Sequence, residues 1–181
     1  MRIVSGKYKG RRVNAPKNLP VRPTTDMAKE ALFNILNNEY YFSEISVLDL
    51  FSGIGSISLE FASRGVKSIT SVDSNYGCVK FLNKTSEEFE MTINVYKKDV
   101  YKYLNDINQQ YDVIFADPPY HFPQEKFENL YQLVFDNKLL KNNGLLIIEH
   151  SKKTDLSALE NFDKLKCYGG NCFSFFRKSE D

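Results

Sequence analysis

The 181-residue sequence has few of the side chains that metal sites and disulfide frameworks require, since it contains three cysteines and two histidines. Cys78, Cys167 and Cys172 form no Cys-x-x-Cys pair and no zinc-ligand spacing, and their odd number is typical of a reducing compartment. His121 and His150 are too few for a His-rich metal site. We therefore expect reduced, structural cysteines, no bound metal and a cytoplasmic protein.

Long hydrophobic runs are also missing. No apolar run approaches the roughly 18–20 residues of a membrane-spanning helix, and residues 1–12 are basic without the apolar stretch of a secretory signal. Hydrophobic residues make up 42% and charged residues 26% of the chain, which is typical of a globular protein with a buried core. The length predicts one domain, or one domain with a small extension. The absence of a long apolar run predicts no membrane contact.

Acidic residues are absent from residues 1–25, which carry seven lysines and arginines. The net charge of this segment is therefore +7, and that of the remaining chain is −6, although the total is only +1. A basic segment joined to an acidic body indicates nucleic-acid contact. A solvated tail is the alternative that charge alone leaves open.

A hairpin, a connector and a helix are predicted for the first 44 residues. Residues 2–5 and 11–14 are two short strand candidates around a turn with two glycines. An extended connector follows, because it contains Pro16, Pro20 and Pro23. The helix is capped by Thr24, Thr25 or Asp26, and its apolar stripe comprises Met27, Ala31, Leu32, Ile35 and Leu36. We place a domain boundary near 40–44, between an extension (1–44) and a main domain (45–181).

Apolar runs alternate with helical patterns from residue 45 onward. Strands are predicted at 45–50, 66–72, 92–96, 111–116 and 145–148, with helices between them and a closing hairpin over 165–177. Such alternation implies an α/β fold with a mostly parallel sheet and right-handed crossovers. The strands are almost continuously apolar, which indicates that helices cover both faces of the sheet.

Asp49-Leu50-Phe51-Ser52-Gly53-Ile54-Gly55 comprises the end of the first of these strands and the turn after it, at the edge where open α/β sheets bind ligands. Its glycines permit a tight turn and close approach of a ligand to the backbone. Ser58 stands where a nicotinamide fingerprint has its third glycine, which disfavours an oxidoreductase. Asp49 suits a ligand with an ammonium group. An ordinary turn that begins a helix is the alternative.

Two further acids end predicted strands. Asp73 lies about 20 residues after the glycine turn, where a carboxylate can bind ribose hydroxyls. Asp99, after the third strand, is placed to accept a hydrogen bond from an adenine amino group. Each acid has a structural alternative as the cap of the following helix.

Asp117-Pro118-Pro119-Tyr120 ends the fourth strand and is the most informative motif. The two prolines stiffen the backbone and remove two donors, which leaves carbonyl groups free to accept. A carboxylate and a backbone carbonyl together form an acceptor pair for a planar amino group, and Tyr120 offers a face on which a base can stack. A structural Pro-Pro turn is the alternative.

These motifs resemble class I S-adenosylmethionine-dependent methyltransferases that methylate exocyclic amines of nucleobases. At the N-terminus, Arg2-Ile-Val-Ser-Gly6, Gly10-Arg-Arg-Val13, Arg22-Pro-Thr-Thr-Asp26 and Glu30-Ala-Leu-Phe33 are similar to the RsmD family, bacterial enzymes that methylate N2 of a guanine in 16S ribosomal RNA. The resemblance covers nearly the whole chain. Met27 replaces a residue that is usually basic in the family, and Ala28 one that is often valine.

The resemblance implies a seven-stranded Rossmann-like sheet, S-adenosyl-L-methionine as cofactor, and 16S rRNA or the assembling small subunit as partner. It places Asp49 at the cofactor's amino group, Gly53 and Gly55 at its methionine moiety, Asp73 at its ribose, and Asp99 with Val100 at its adenine. Phe51, Ser52, Ser74 and Asp117 complete the expected cofactor set. Asp117, Pro118 and Tyr120 are expected to hold the target base, and the expected RNA contacts are Arg2, Lys7, Lys9, Arg11, Arg12, Arg22 and Thr24.

Other functions remain open at this point. The Asp-Pro-Pro-Tyr motif also suits DNA adenine-N6 and cytosine-N4 methyltransferases, but those need a recognition element, and only about 44 residues lie outside the sheet domain. A non-catalytic RNA-binding or ribosome-assembly protein on the same fold is the alternative of a different class. We expect a monomer, because no surplus apolar stripe requires a partner.

Overall fold

The computed structural model describes residues 1–22 and 24–180, so the predicted contribution of Pro23 to the connector lies outside the described residues. A seven-stranded sheet forms the centre, in the order β3-β2-β1-β4-β5-β7-β6. Its strands are β1 (Ser46–Leu50), β2 (Ser68–Asp73), β3 (Asn94–Lys97), β4 (Tyr111–Ala116), β5 (Leu140–His150), β6 (Phe162–Tyr168) and β7 (Asn171–Arg177).

Within the described residues, five α-helices surround the sheet: α1 (Asp26–Glu39), α2 (Ser56–Ser63), α3 (Tyr76–Glu88), α4 (Val100–Asp106) and α5 (Gln124–Asp136). A 3-10 turn, Phe42–Glu44, precedes β1. Of the three candidate caps for α1, Thr25 is the one that serves, since its side chain accepts from the Ala28 amide. No helix among the described residues is long and apolar enough to cross a bilayer.

The sheet is parallel from β3 through β5, as the alternating pattern predicts. β7 lies antiparallel between β5 and β6, so the predicted closing hairpin supplies two strands. Every residue of β1 is buried, because helices cover both faces. The carboxyl ends of β1, β2, β4 and β5 consequently lie at one edge of the sheet.

Two hydrophobic clusters fill the layers. On one face, α4 and α5 pack against the sheet through residues such as Leu104 and Leu130. On the other, α1 and α2 pack through Phe33 and Phe61. The predicted stripe of α1 is wrong at Met27, which is 60% exposed, while Phe33 is fully buried. α1 turns a slightly different face inward than the spacing of its aliphatic residues suggests.

The predicted N-terminal hairpin is reduced to one antiparallel bridge between Arg2 and Arg12. The amides of Val4 and Ser5 explain this reduction, because both donate to the Glu60 carboxylate, at 2.9 and 3.0 Å, instead of to a partner strand. The ladder is therefore limited to residues nearer the chain start. A side chain of α2 replaces the missing strand hydrogen bonds.

The segment 1–13, here called the basic arm, is packed against the far ends of α2 and α3. The Lys7 amide donates to the Ser63 carbonyl at 2.7 Å, and the Tyr8 amide donates to the Ser63 hydroxyl at 3.0 Å. The Tyr8 ring stacks on Phe89 with the ring centroids 5.3 Å apart. Val13 then joins a small apolar cluster, from which the connector runs toward the carboxyl edge of the sheet.

The expectation of reduced cysteines is wrong for one pair. Cys167 in β6 and Cys172 in β7 are joined by a disulfide, and Cys78 is a buried free thiol. The two bonded residues are direct partners in the antiparallel register, which places their side chains together across the hairpin. A five-residue spacing becomes a bridge only when a tight turn returns the chain, and the cysteine pattern alone does not show that turn.

Candidate functional site

A cleft of about 540 Å³ opens at the carboxyl edge of the sheet. The loops after β1, β2, β4 and β5 form its floor and walls, and the connector and the β6–β7 turn border it from the sides. The cleft thus lies where an open α/β sheet binds ligands. No group of three potential metal ligands occurs within residues 1–22 and 24–180.

The cleft brings together most of the side chains that the motifs single out. Those that line it are Asp49, Phe51, Ser52, Gly53, Asp73, Ser74, Asp117, Pro118, Tyr120, Arg22 and Thr24. Other expected cofactor and RNA residues lie outside its lining: Gly55, Asp99, Val100, Arg2, Lys7, Lys9, Arg11 and Arg12.

The loop after β1 forms a cradle with an unsatisfied hydroxyl. Gly53 has a φ of +54°, and a Cβ there would lie 3.2 Å from the Val21 side chain, so the backbone is exposed to the cleft only because the residue is glycine. Ser52 Oγ is the only buried side-chain oxygen or nitrogen without a hydrogen-bond partner among the described residues. The accessible backbone of Gly53 and the unpaired hydroxyl of Ser52 fit a polar ligand bound at this loop.

Gly55 lies outside the lining of the cleft and packs against α3. Its φ is +88°, and a Cβ would approach Leu82 Cδ1 to 2.3 Å, so the residue permits the turn into α2 and the close packing of α3. The sequence pattern assigns both glycines to a ligand because a motif does not distinguish the glycine that faces a cavity from the one that faces a helix.

Asp73 and Asp99 have different local roles. Asp73 accepts from the Gly53 amide at 2.8 Å and from the Asn75 amide at 2.8 Å, while Asn75 itself caps α3. Asp73 thus ties the cradle to the next loop and remains in the cleft. Asp99 caps α4 by accepting from the Lys102 amide at 3.0 Å, which is its structural alternative.

Asp49 is a carboxyl group almost without water contact, with 1% of its surface exposed. The Ser58 hydroxyl donates to it at 2.6 Å. Burial raises the pKa of Asp49 to about 7, and the nearby charges of Asp73 and Glu149 act in the same direction. A cation placed beside Asp49 would restore its ionised form, so this position favours a positively charged ligand.

Glu149 is a site residue that sequence reasoning missed. It follows the apolar run 145–148 at the end of β5 and is 4% exposed. The Thr24 hydroxyl donates to its Oε2 at 2.7 Å, and the Asn171 amide nitrogen donates to its Oε1 at 2.6 Å. An acid at or near the carboxyl end of a buried strand is the same signal that identifies Asp49 and Asp117, but the strand predicted at 145–148 stops one residue before Glu149.

Asp117 has no hydrogen-bond donor to its side chain among the described residues, although its own amide donates to the Leu50 carbonyl at 3.3 Å. It is partly buried and lines the cleft. Burial raises its pKa well above the usual range, Glu149 and Asp49 raise it further, and Arg22 opposes them. The cleft therefore contains a carboxylate whose acceptor positions are available to a ligand.

Two residues expected to contact RNA belong to this cleft. The Arg22 guanidinium lies 4.7 Å from the centre of the Tyr120 ring, which is a cation–π contact at the rim. Thr24 is 6% exposed, and its hydroxyl donates to the buried Glu149 carboxylate. The assignment of Thr24 to RNA stays a prediction.

The two histidines differ in their surroundings. His150 is buried, with Nδ1–H donating to the Ser151 carbonyl at 2.8 Å and Nε2 accepting from the Ser174 hydroxyl at 2.7 Å. Burial lowers its pKa, so it is a neutral structural residue at the cleft wall. His121 also lines the cleft and is exposed.

This sheet order, with an antiparallel β7 between β5 and β6 and a cleft at the carboxyl edge, is the class I methyltransferase fold. The chain belongs to the family described as conserved hypothetical protein 95, the RsmD family, whose model matches residues 1–177. The motif-based resemblance and the predicted fold class are both confirmed.

Three relatives illustrate the similarity. The ribosomal RNA small subunit methyltransferase D of Haemophilus influenzae is 34% identical over 173 residues, which cover 92% of this chain and 86% of that protein. The solved structure of a hypothetical protein from Thermus thermophilus superposes with a TM-score of 0.84 and 24% identity, over 97% of this chain and 98% of that one. A Thermus thermophilus 16S rRNA N2 G1207 methyltransferase, solved with AdoMet and guanosine, gives a TM-score of 0.68 and 20% identity over 88% of this chain and 45% of that one.

Proposed function

We propose that this protein transfers a methyl group from S-adenosyl-L-methionine to the exocyclic N2 amine of a guanine in 16S ribosomal RNA. The observation that carries the proposal is the Asp117 carboxylate, which lines the cleft beside Pro118 without a donor from the described residues. The family of the chain and the name of its Haemophilus influenzae relative support an rRNA substrate.

The residues of the cleft fit the cofactor. Asp49 suits its ammonium group, the Ser52 hydroxyl and the Gly53 backbone suit its methionine moiety, and Asp73 suits its ribose hydroxyls. Bound there, the cofactor supplies an electrophilic methyl group on a sulfonium. The protein contributes by binding and orienting, and no metal is assigned a role.

Asp117 and the Pro118 carbonyl are proposed to accept the two N–H bonds of the guanine amine. This pairing orients the nitrogen lone pair toward the methyl donor, and orientation supplies much of the rate acceleration in such transfers. A carboxyl group whose pKa is raised by burial also suits a proton acceptor after transfer. The Tyr120 ring, 61% exposed and covered on one side by Arg22, is available to the base. A paired base cannot enter the cleft, so the target is unpaired or flipped.

The basic arm is proposed to hold RNA phosphates. Lys7, Lys9, Arg11 and Arg12 are all exposed, and no salt bridge engages any of them within the described residues. Arg2 differs from them, because its guanidinium forms an ion pair with Asp26 at 3.3 Å. The proposal also includes an RNA-binding role for residues 1–44 and the small ribosomal subunit as partner. It further includes a monomeric state and a cytoplasmic location.

Replacing Lys7 and Lys9 together with glutamine is expected to weaken RNA binding and its dependence on salt. The slope of log affinity against log salt should fall by about 0.7–0.9 for each phosphate that the arm no longer neutralises. The measurement is RNA affinity at several salt concentrations. Lys102→Gln with Lys138→Gln, on the opposite side of the sheet, is the matched control. An unchanged slope in the arm variant would contradict the assignment.

The proposed function is tested by methyl transfer from labelled S-adenosyl-L-methionine. Protein-free 16S rRNA, assembling small-subunit particles and duplex DNA are offered separately, and the products are digested to nucleosides. We expect N2-methylguanosine from one of the RNA substrates. N6-methyladenine or N4-methylcytosine from DNA would support the alternative enzyme, and absence of both transfer and calorimetric cofactor binding would support a non-catalytic assembly protein.

A further inference from the structure

Glu149 is a buried acid that the proposed reaction does not use. Ala116 of β4 pairs with Ile148 of β5 in the parallel register, so the next residues, Asp117 and Glu149, stand beside each other at the ends of neighbouring strands. Neighbouring strands lie about 4.8 Å apart. Both acids line the same cleft, and their charges interact.

The Glu149 carboxylate is held from two sides. Thr24, at the end of the connector, donates to Oε2, and Asn171, the first residue of β7, donates to Oε1. The Asn171 amide nitrogen can only donate, and each carboxylate oxygen has room for a second donor. Glu149 is therefore an oriented acceptor with capacity left for a ligand.

The chemistry of the base edge decides what such an acceptor selects. Beside its exocyclic amine, guanine carries a ring N1–H donor, whereas adenine and cytosine carry a ring nitrogen acceptor beside theirs. A carboxylate next to the group that binds the amine therefore attracts guanine and repels the ring lone pair of the other two bases. A buried polar group left against the wrong partner is strongly penalised.

We propose that Glu149 determines the choice of base by accepting the N1–H of guanine while Asp117 accepts the neighbouring amine. This inference rests on the proposed function, because it requires guanine N2 as the acceptor of the methyl group. Burial raises the pKa of Glu149 above its ordinary value, and the Thr24 and Asn171 donors together with Arg22 act against that rise. These three groups favour the ionised form, which is the form that the inference requires.

The probe is 2-aminopurine, which keeps the 2-amine of guanine but has a lone pair in place of N1–H. It is placed at the methylated position of 16S rRNA, and kcat/KM is measured for both bases. The wild-type protein is expected to prefer guanine by about 10²-fold. Glu149→Gln should reduce that preference at least about tenfold, because its amide can donate to the ring lone pair of 2-aminopurine. Glu87→Gln, an exposed acid of α3, should leave the preference unchanged.

Two results would overturn the inference: a wild-type preference below about threefold, or an unchanged preference in Glu149→Gln, which includes an equal loss on both bases with intact cofactor binding. Thr24→Val provides a second test if Glu149→Gln does not fold. It removes one donor to Glu149 and should reduce the preference about threefold or more. Absence of any methylated guanine with wild-type protein would instead contradict the proposed function, so the two failures are distinguishable.

Discussion

Replacing Asp117 with alanine is expected to lower methyl transfer by about 10³-fold while cofactor affinity stays within about threefold of wild type. The alanine removes the proposed acceptor of the amine, but it leaves the cradle after β1 and the carboxyl groups of Asp49 and Asp73 unchanged. Single-turnover transfer to the RNA substrate measures the first effect, and calorimetric titration with the cofactor measures the second.

Stability separates this result from a folding defect. The folded-state pKa of Asp117 lies above its ordinary value, so the ionised group destabilises the folded protein once the pH rises through that raised pKa. At neutral pH the alanine variant should therefore unfold at an equal or higher denaturant concentration than wild type. Asp136→Ala, at the end of α5, is the matched control for an exposed acid. Full activity of Asp117→Ala, or equal losses of transfer, binding and stability, would contradict the catalytic assignment.

Replacing Glu60 with alanine is expected to cost about 3–5 kcal/mol of the free energy of unfolding. Glu60 is fully buried, accepts the amides of Val4 and Ser5, and pairs with Arg64 Nε at 2.9 Å and Lys29 Nζ at 3.5 Å. Its loss leaves two backbone donors unsatisfied and a buried ammonium group without its counter-charge. Burial already lowers the pKa of Lys29 in the intact pair, which shows how little water reaches it.

Urea unfolding measures this loss, and limited trypsin digestion measures the release of the basic arm. Cleavage at Lys7 and Lys9 should accelerate before the sheet unfolds, because Glu60 holds the backbone of Val4 and Ser5. Glu87→Ala should change the free energy of unfolding by no more than about 0.5 kcal/mol. The idea fails if Glu60→Ala is as stable as that control. Combining Lys29→Met with Glu60→Gln should recover part of the loss, since it removes the unpaired charge.

The sequence predicts the strands and their carboxyl ends well, for a physical reason. A buried parallel strand is a nearly continuous apolar run, and an acid at or just beyond its carboxyl end marks the edge of the sheet where ligands bind, as Asp49 within β1 and Asp117 after β4 show. The same rule applied to β5 would have identified Glu149. Sequence periodicity does not predict side-chain contacts with residues outside the same helix or strand. Thr24 is an unremarkable residue in a connector until the fold places it against that acid.

Long-range pairing accounts for the other differences between prediction and structure. The N-terminal strands are short because Glu60, more than 50 residues away in the chain, accepts the amides that a ladder would use. The Cys167–Cys172 bridge depends on a register that spacing does not reveal. Glu60 itself has no sequence signal, since a glutamate within a helix ordinarily faces water.

The attachment of the basic arm fixes the distance between the arm and the cleft. Lys7 and Tyr8 attach at Ser63 and Phe89, the far ends of α2 and α3, whereas the opposite ends of these helices border the cleft. Helices of eight and 13 residues place the two regions about 12–20 Å apart. A stacked strand covers that distance in roughly four to six nucleotides. Under the proposed function, an RNA that binds the basic arm and places a base in the cleft must span this distance between its bound phosphates and the target base.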